Sequence, residues 1–354
     1  MSKQDNLTAF DPNGLGQKNG KFIGLPYTEE DARIVLLPVA WDVTVSYGEG
    51  TAMGAQNILE ASAQLDLYDP DVKDAWKMGI YMRHLDLYWV NRNQELRPKA
   101  GTYLEFLETG GALAHDLPML AVVEEINNAS TALNAWVFEQ TADLMRRGKL
   151  VGVVGGEHSV PLGFLQALAH RHGEFGVLQI DAHQDMRKAY EGFTYSHASI
   201  FYNALKIKEI TKLVQVGIRD TCEEEIDFAA RLGDRVQVWH DQTMQEEMFG
   251  GATWRSLCEK IIADLPAKVY VSFDIDGLKP DLCPNTGTPV PGGLEFPQAM
   301  FLLKMLADSG REIIGFDLCE VAGVGCDWDG NVGARVLYKL CNLMGKSVGL
   351  KVDN

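Results

Sequence analysis

Short runs of apolar, often β-branched residues alternate with segments of helical periodicity from residue 33 onward. The runs predict strands over Ile34–Val39, Leu150–Val154, Gly176–Ile180, Leu213–Val216, Val236–Trp239, Val269–Phe273 and Ile313–Phe316. Several are apolar almost throughout instead of alternating, the pattern of parallel strands covered by helices on both faces. Between them the spacing predicts helices over Ala129–Arg147, Pro161–His172, Glu223–Leu232, Trp254–Leu265, Pro297–Asp308 and Gly333–Met344. That βαβα rhythm predicts an α/β fold, with one doubly wound domain over residues 31–350 on a mainly parallel sheet.

Two stretches break the rhythm. Residues 1–30, rich in Gly, Asn, Lys and Asp, read as an arm lying over the surface. Residues 66–127 are long, poor in periodicity, and hold Trp76, Trp89 and several turn residues. They read as an excursion past the sheet edge with helices of its own.

The composition changes this picture little: 354 residues, 46% hydrophobic and 23% charged, describe an ordinary globular chain. A formal net charge of −17 repels phosphate backbones, which argues against nucleic acid as a partner and tolerates a small cationic one. The six cysteines (Cys222, Cys258, Cys283, Cys319, Cys326 and Cys341) form no CxxC pair and read as reduced thiols. The N-terminus has no apolar signal region, and no apolar run approaches the ~20 residues that span a bilayer. The expectation is a cytoplasmic protein without a membrane partner.

Candidate chemistry gathers at strand ends, where open α/β sheets bind their ligands. Leu150–Val154 runs into Gly155-Gly156-Glu157-His158-Ser159, Gly176–Ile180 into Asp181-Ala182-His183-Gln184-Asp185, and Val269–Phe273 into Asp274-Ile275-Asp276. One DxD at a strand end is often a structural cap, and one His after Gly-Gly is usually a packed residue. The middle motif sets Asp, His and Asp at i, i+2 and i+4, which extended or gently turning backbone points to one side. Four carboxylates brought together at one edge repel strongly, and a pair of divalent cations offsets that repulsion. His158, Asp181, His183, Asp185, Asp274 and Asp276 make a mixed nitrogen and oxygen set without sulfur. It suits Mn²⁺, and also Ni²⁺, Co²⁺ or Fe²⁺, and argues against structural zinc. Six ligands exceed what one catalytic ion with an open position takes; with bridging carboxylates they serve two ions ~3.5–4 Å apart.

At these residues the sequence resembles the ureohydrolase superfamily of arginases, agmatinases, guanidinobutyrases and formimidoylglutamases. The family patterns GGDHS, DAHxD, SHG and SxDxD are met by GGEHS, DAHQD, SHAS and SFDID. Asn285–Leu294 (NTGTPVPGGL) resembles the GTGTPxPGGL stretch, and Asp317–Val321 the D-x-x-E-V segment. Trp41–Ser62, with Ser46, Tyr47, Gly50, Gly54 and Ile58, is similar to the family's first loop and helix. The likeness runs from about residue 33 to 345.

The resemblance implies a three-layer α/β/α sandwich with a parallel sheet of about eight strands, two Mn²⁺ ions, and a trimer or hexamer. It implies that His158, Asp181, Asp185 and Asp274 serve one ion or the bridge, and His183 and Asp276 mainly the other. It also implies that His197 shuttles protons beside them and Glu320 holds a substrate guanidinium, so His197, Glu320 and Asp185 are the candidate catalytic residues. Two cations bring a shared water toward hydroxide near neutral pH. A carboxylate is the natural clamp for a guanidinium fork, and a histidine suits protonation of the departing amine. Taken alone, His197 would read as a loop histidine bonded to backbone.

Three positions depart from the family pattern: Glu157 for Asp, Ala198 for Gly, and Lys279 for the Asp of the usual DxDxxDP ending. Lys279 either pairs with a carboxylate near the site or points to solvent. The loop Met186–Phe193 lacks the Asn and Ser pattern with which arginases hold an amino-acid head group, which disfavours arginine. Arg187 either meets a substrate carboxylate or forms a salt bridge that stiffens the loop; Trp41 and Tyr47 either narrow the pocket or pack. Agmatine therefore leads as substrate. The rivals are free guanidine with nickel, and a guanidino acid or formimidoylglutamate. Outside this class stand a zinc-dependent deacetylase, which uses one catalytic ion with fewer ligands, and a catalytically silent metal-binding regulator.

Overall fold

The computed structural model describes residues 10–350. Among the described residues there are eight strands: β1 (Ile34–Pro38), β2 (Ile80–Met82), β3 (Leu150–Val154), β4 (Phe175–Ile180), β5 (Ile210–Ile218), β6 (Val236–His240), β7 (Lys268–Asp274) and β8 (Glu312–Cys319). They form one sheet in the order β2-β1-β3-β8-β7-β4-β5-β6, and every neighbouring pair is parallel. Strands β1 and β4 are buried at every position, as apolar-throughout runs require when both faces are covered.

The helices are α1 (Gly54–Ser62), α2 (Leu87–Glu108), α3 (Leu117–Arg146), α4 (Leu162–His172), α5 (Ile200–Ala204), α6 (Glu223–Leu232), α7 (Asp241–Phe249), α8 (Trp254–Ala263), α9 (Phe296–Asp308) and α10 (Asp327–Ser347). One group packs α2 on α3 and α3 on α4; another packs α10 on β8, α1 and α9, with α8 on α9. The fold is thus a three-layer α/β/α sandwich. Among the described residues no helix is long and apolar enough to cross a membrane.

The segment 66–127 contributes more than helices. It supplies the edge strand β2, which pairs with β1, then α2 and the start of α3. Three residues of strand are too few to show a period. Helix α2 carries Pro98 in its interior, a residue that normally marks a helix end. Helix α3 starts twelve residues before the predicted boundary. Asp116 caps it, accepting from Met119 N at 3.0 Å, but its first turn is apolar on the outside, with Leu117 79% exposed. That face hid the start.

The arm expected over residues 1–30 lies partly outside the described residues, which begin at 10. Within them, Phe22, Ile23, Leu25 and Tyr27 are buried in the core. The polar residues around these four masked a segment that packs.

Candidate active site

Strands β3, β4, β7 and β8 are neighbours in the middle of the sheet, and being parallel they release their following loops at one edge. Two of those loops are fixed by their own side chains. Asp181 Oδ1 accepts from His183 N at 2.6 Å, and Asp274 Oδ1 accepts from Asp276 N at 3.0 Å. Asp276 Oδ1 also accepts from Ala182 N at 3.0 Å, tying the two loops together. The backbone is not simply extended, as i, i+2, i+4 spacing suggested: Asp185 has φ of 55°. Such left-handed geometry costs a non-glycine residue about 1–2 kcal/mol, and here it turns the third side chain inward.

The six predicted ligand residues come together. His158 Nδ1 lies 3.0 Å from Asp181 Oδ2, 3.0 Å from Asp185 Oδ2 and 3.2 Å from Asp274 Oδ2. His183 Nδ1 lies 3.1 Å from Asp276 Oδ2 and 3.6 Å from Asp181 Oδ1. Behind His158, Nε2 contacts Ser272 Oγ at 2.8 Å, and that hydroxyl donates to Asp317 Oδ2 at 2.7 Å. With the serine's one hydrogen donated to Asp317, the tautomer that completes the chain has Nε2–H donating to Ser272. Nδ1 faces three carboxylates; burial opposes protonation, yet Asp181, Asp185 and Asp274 raise the imidazole well above its ordinary value.

Protons alone satisfy this cluster poorly. Burial, then the charge of Asp181, pushes Asp185 up to about 7. Burial, then Asp276 and Asp181, pushes Asp274 well above the carboxylate range. Burial opposes protonation of His183, yet Asp276 and Asp181 raise it to about 12. A cation does better. Two donor groups, His158 with Asp181 and Asp185, and Asp181 with His183 and Asp276, each bring their ligand atoms within 4.8 Å of one another and share Asp181. The donor set fits two divalent ions joined by a carboxylate.

The cavity above this floor is lined by Ser46, Tyr47, Arg187, Tyr190, His197, Ala198, Asp220, Glu225, Thr288 and Glu320. Glu320, also left-handed at φ 63°, follows β8; its N–H donates to Gly156 O at 2.8 Å. Oε1 accepts from His158 N at 2.9 Å, while Oε2 is buried with no partner among the described residues. Burial, then the neighbouring Glu157, raises its pKa well above the usual range.

His197 stands at the cavity wall. Burial, then His183, presses its imidazole down to about 3, which leaves it neutral. The His197 backbone N–H donates to Thr44 Oγ1 at 3.1 Å, and Thr44 is held in turn by Glu157, which accepts from Thr44 N and Thr44 Oγ1 at 2.7 Å each. The unusual Glu157 thus reaches across to the loop after β1.

Trp41, a candidate pocket residue, does not line the cavity. Its indole is fully buried and packs edge-on against Trp89 with centroids 6.0 Å apart. Its carbonyl accepts from Glu157 N at 2.8 Å, and a Cβ on Gly156 would sit 1.9 Å from that same oxygen. The glycine is needed for this approach, and the apolar indole turns inward from a wet cavity. Tyr47 does line it. Arg187 is at the mouth, with Nε 3.6 Å from Glu225 and its guanidinium 4.7 Å over the Tyr190 ring. Lys279 pairs with Glu295 at 2.5 Å on the exposed surface and does not line the cavity.

Sequence reasoning missed Tyr190, Asp220, Glu225 and Thr288 as cavity residues. Asp220 had a signal, standing just past β5 on the same sheet edge. Thr288 lay within the quoted NTGTPVPGGL stretch.

A family model for the arginase family matches residues 32–341. The chain belongs to the arginase family. An N(1)-aminopropylagmatine ureohydrolase of Thermus thermophilus is 30% identical over 324 residues, 92% of this chain and 94% of that one. A guanidinobutyrase of Pseudomonas aeruginosa is 32% identical over 254 residues, 68% of this chain and 75% of that one. Among solved structures, the agmatine ureohydrolase of Thermoplasma volcanium matches with a TM-score of 0.68 at 20% identity, covering 97% of this chain and 98% of that one. As an arginase-family ureohydrolase, the chain is a metal-dependent hydrolase acting on guanidino compounds.

Proposed function

We propose that this chain hydrolyses a small cationic guanidino compound of the agmatine type, releasing urea and the amine. The observation that carries the reading is Glu320 Oε2, a buried oxygen without a partner beside the metal-type cluster. A guanidinium N–H supplies the missing donor, and its charge favours the ionised form of Glu320 that burial alone disfavours.

His158, Asp185 and Asp274 would hold one ion, His183 and Asp276 the other, with Asp181 between them. Two divalent ions bound there, Mn²⁺ on this donor chemistry or Ni²⁺ as the alternative, supply Lewis acidity and an activated water. Glu320 orients the planar guanidinium carbon over the cluster. His197, on the wall beside the cluster, is the group placed to carry a proton to the departing amine.

The mouth favours a cationic tail. Arg187 already has Glu225 and Tyr190 as partners, so it is poorly placed to anchor a substrate carboxylate. Asp220, whose carboxylate lies 3.9 Å from His183 Nε2 and is 67% exposed, adds negative charge to the cavity for a cationic substrate. Free guanidine is the second reading, favoured by the two aromatic rings of Tyr47 and Tyr190 on the cavity wall.

The test is urea release from agmatine, N(1)-aminopropylagmatine, guanidinobutyrate, guanidinopropionate, arginine, guanidine and formimidoylglutamate, in Mn²⁺ and in Ni²⁺. Agmatine or its aminopropyl derivative should lead. Turnover of guanidine alone would establish the second reading. No urea from any compound in either metal would overturn both.

A further inference from the structure

The turn between Ala189 and Gly192 is strained, and residues far away in sequence hold it. Ala189 has φ of 47° and Glu191 of 56°, so two non-glycine residues flanking Tyr190 are both left-handed. Such backbone persists only where its surroundings over-determine it. Tyr103 of α2 donates from its hydroxyl to Glu191 O at 2.8 Å, and its ring meets buried Phe193 edge-on at 5.5 Å. Asn127 of α3 donates from Nδ2 to Gly192 O at 3.1 Å and accepts from Thr194 N at 2.7 Å. Both belong to the segment 66–127, to which the mechanism assigns nothing.

The braced turn presents one side chain to the cavity. The Tyr190 ring lies edge-on to His197, with centroids 6.3 Å apart, and carries the Arg187 guanidinium at 4.7 Å. We propose that Tyr190 is the specificity-determining wall of the substrate cavity, and that Tyr103 and Asn127 are positioning residues that hold it there. The proposal rests on the reading that a guanidino group binds in this cavity. The wall excludes groups that widen the substrate just beyond the guanidinium, and it depends on the ring and not on the hydroxyl.

Calorimetry on the Mn²⁺-loaded protein, with linear butylguanidinium and its isomer sec-butylguanidinium, branched at the carbon next to the guanidinium, as probes, reads the wall without turnover. Tyr190→Ala should raise the affinity of sec-butylguanidinium relative to butylguanidinium about tenfold, the scale of methylene discrimination in a pocket. Tyr190→Phe should restore the wild-type ratio to within about twofold, which a merely structural role does not require. An unchanged ratio in Tyr190→Ala would overturn the wall. If wild type binds neither probe, the guanidino reading falls, and the width role with it.

The brace is read separately, by trypsin, because Arg187 and Lys188 are cleavage sites beside the turn. Tyr103→Phe with Asn127→Ala should give a single nick after one of these residues about tenfold faster than wild type, provided opening is local. Unchanged protection would overturn the brace, as would cleavage spread through the chain, which would report global unfolding instead.

Discussion

Along the cavity floor, Asp181 and His183 stand two residues apart, as do Asp274 and Asp276, and each pair is tied by its own backbone amide. Along the wall the partners are distant: Thr44 meets Glu157 across 113 positions, His197 meets Thr44 across 153, and Tyr103 meets Glu191 across 88. The floor is therefore specified by short motifs, and the wall by whichever segments the fold happens to bring near. Chemistry common to a family belongs on the floor. Substrate choice, which must vary while the chemistry stays, belongs on the wall.

The comparison is sharpest where one floor carboxylate is removed. Asp276→Asn takes a charge from one of the two donor groups, and urea release should fall about a thousandfold, some 4 kcal/mol. Metal analysis should show sub-stoichiometric loading. Full metal loading with full activity would break the division between floor and wall.

A smaller effect is expected of Glu320→Gln. The amide oxygen still accepts from His158 N, but the charge facing the guanidinium is gone. kcat/KM should drop about a hundredfold, some 2–3 kcal/mol, with metal content unchanged. A parallel loss of metal would move Glu320 from the wall to the floor.

Thr44→Val tests the wall alone. It removes the hydroxyl that donates to Glu157 and accepts from His197 N. A fall in kcat of about tenfold is expected, near 1.4 kcal/mol, with KM and metal content little changed. An equal rise in KM would mean that the loop after β1 binds substrate directly.

The smallest effect lies far from the cavity. Arg83 holds the Glu29 carboxyl down to about 2 against an ordinary value of 4.5, with Arg147 adding to it. Because the folded pKa is the lower one, this contribution is present above about pH 4.5 and is lost as pH falls from 4.5 toward 2. Wild type should exceed Glu29→Gln in unfolding temperature at pH 6 by a contribution of about 1 kcal/mol or less. The gap should close on acidification in that window. Urea release at pH 6 should be equal in the two proteins.

Much of the sheet was legible because parallel strands buried on both faces are apolar throughout, as β1 and β4 show. β2 and α2 were not. β2 has only three residues, and Pro98 inside α2 imitates a helix end; neighbours in space, not local pattern, make these elements form. Ligand spacing made the floor readable. Tyr190 was not, since a tyrosine in a loop of mixed composition carries no signal of the direction in which it points.

By itself the sequence determined the βαβα rhythm and the strand ends that carry Asp and His, where spacing of two keeps Asp181 with His183 and Asp274 with Asp276; the left-handed turn that brings Asp185 in did not follow from it. Only the tertiary structure decided which way the aromatic residues face. It turned Trp41 into the core against Trp89 and Tyr190 into the cavity against His197. It also left Glu320 Oε2 without a partner and engaged Arg187 with Glu225. These are outcomes of packing between segments many residues apart, where the burial of one surface settles the orientation of another, and no local pattern encodes them.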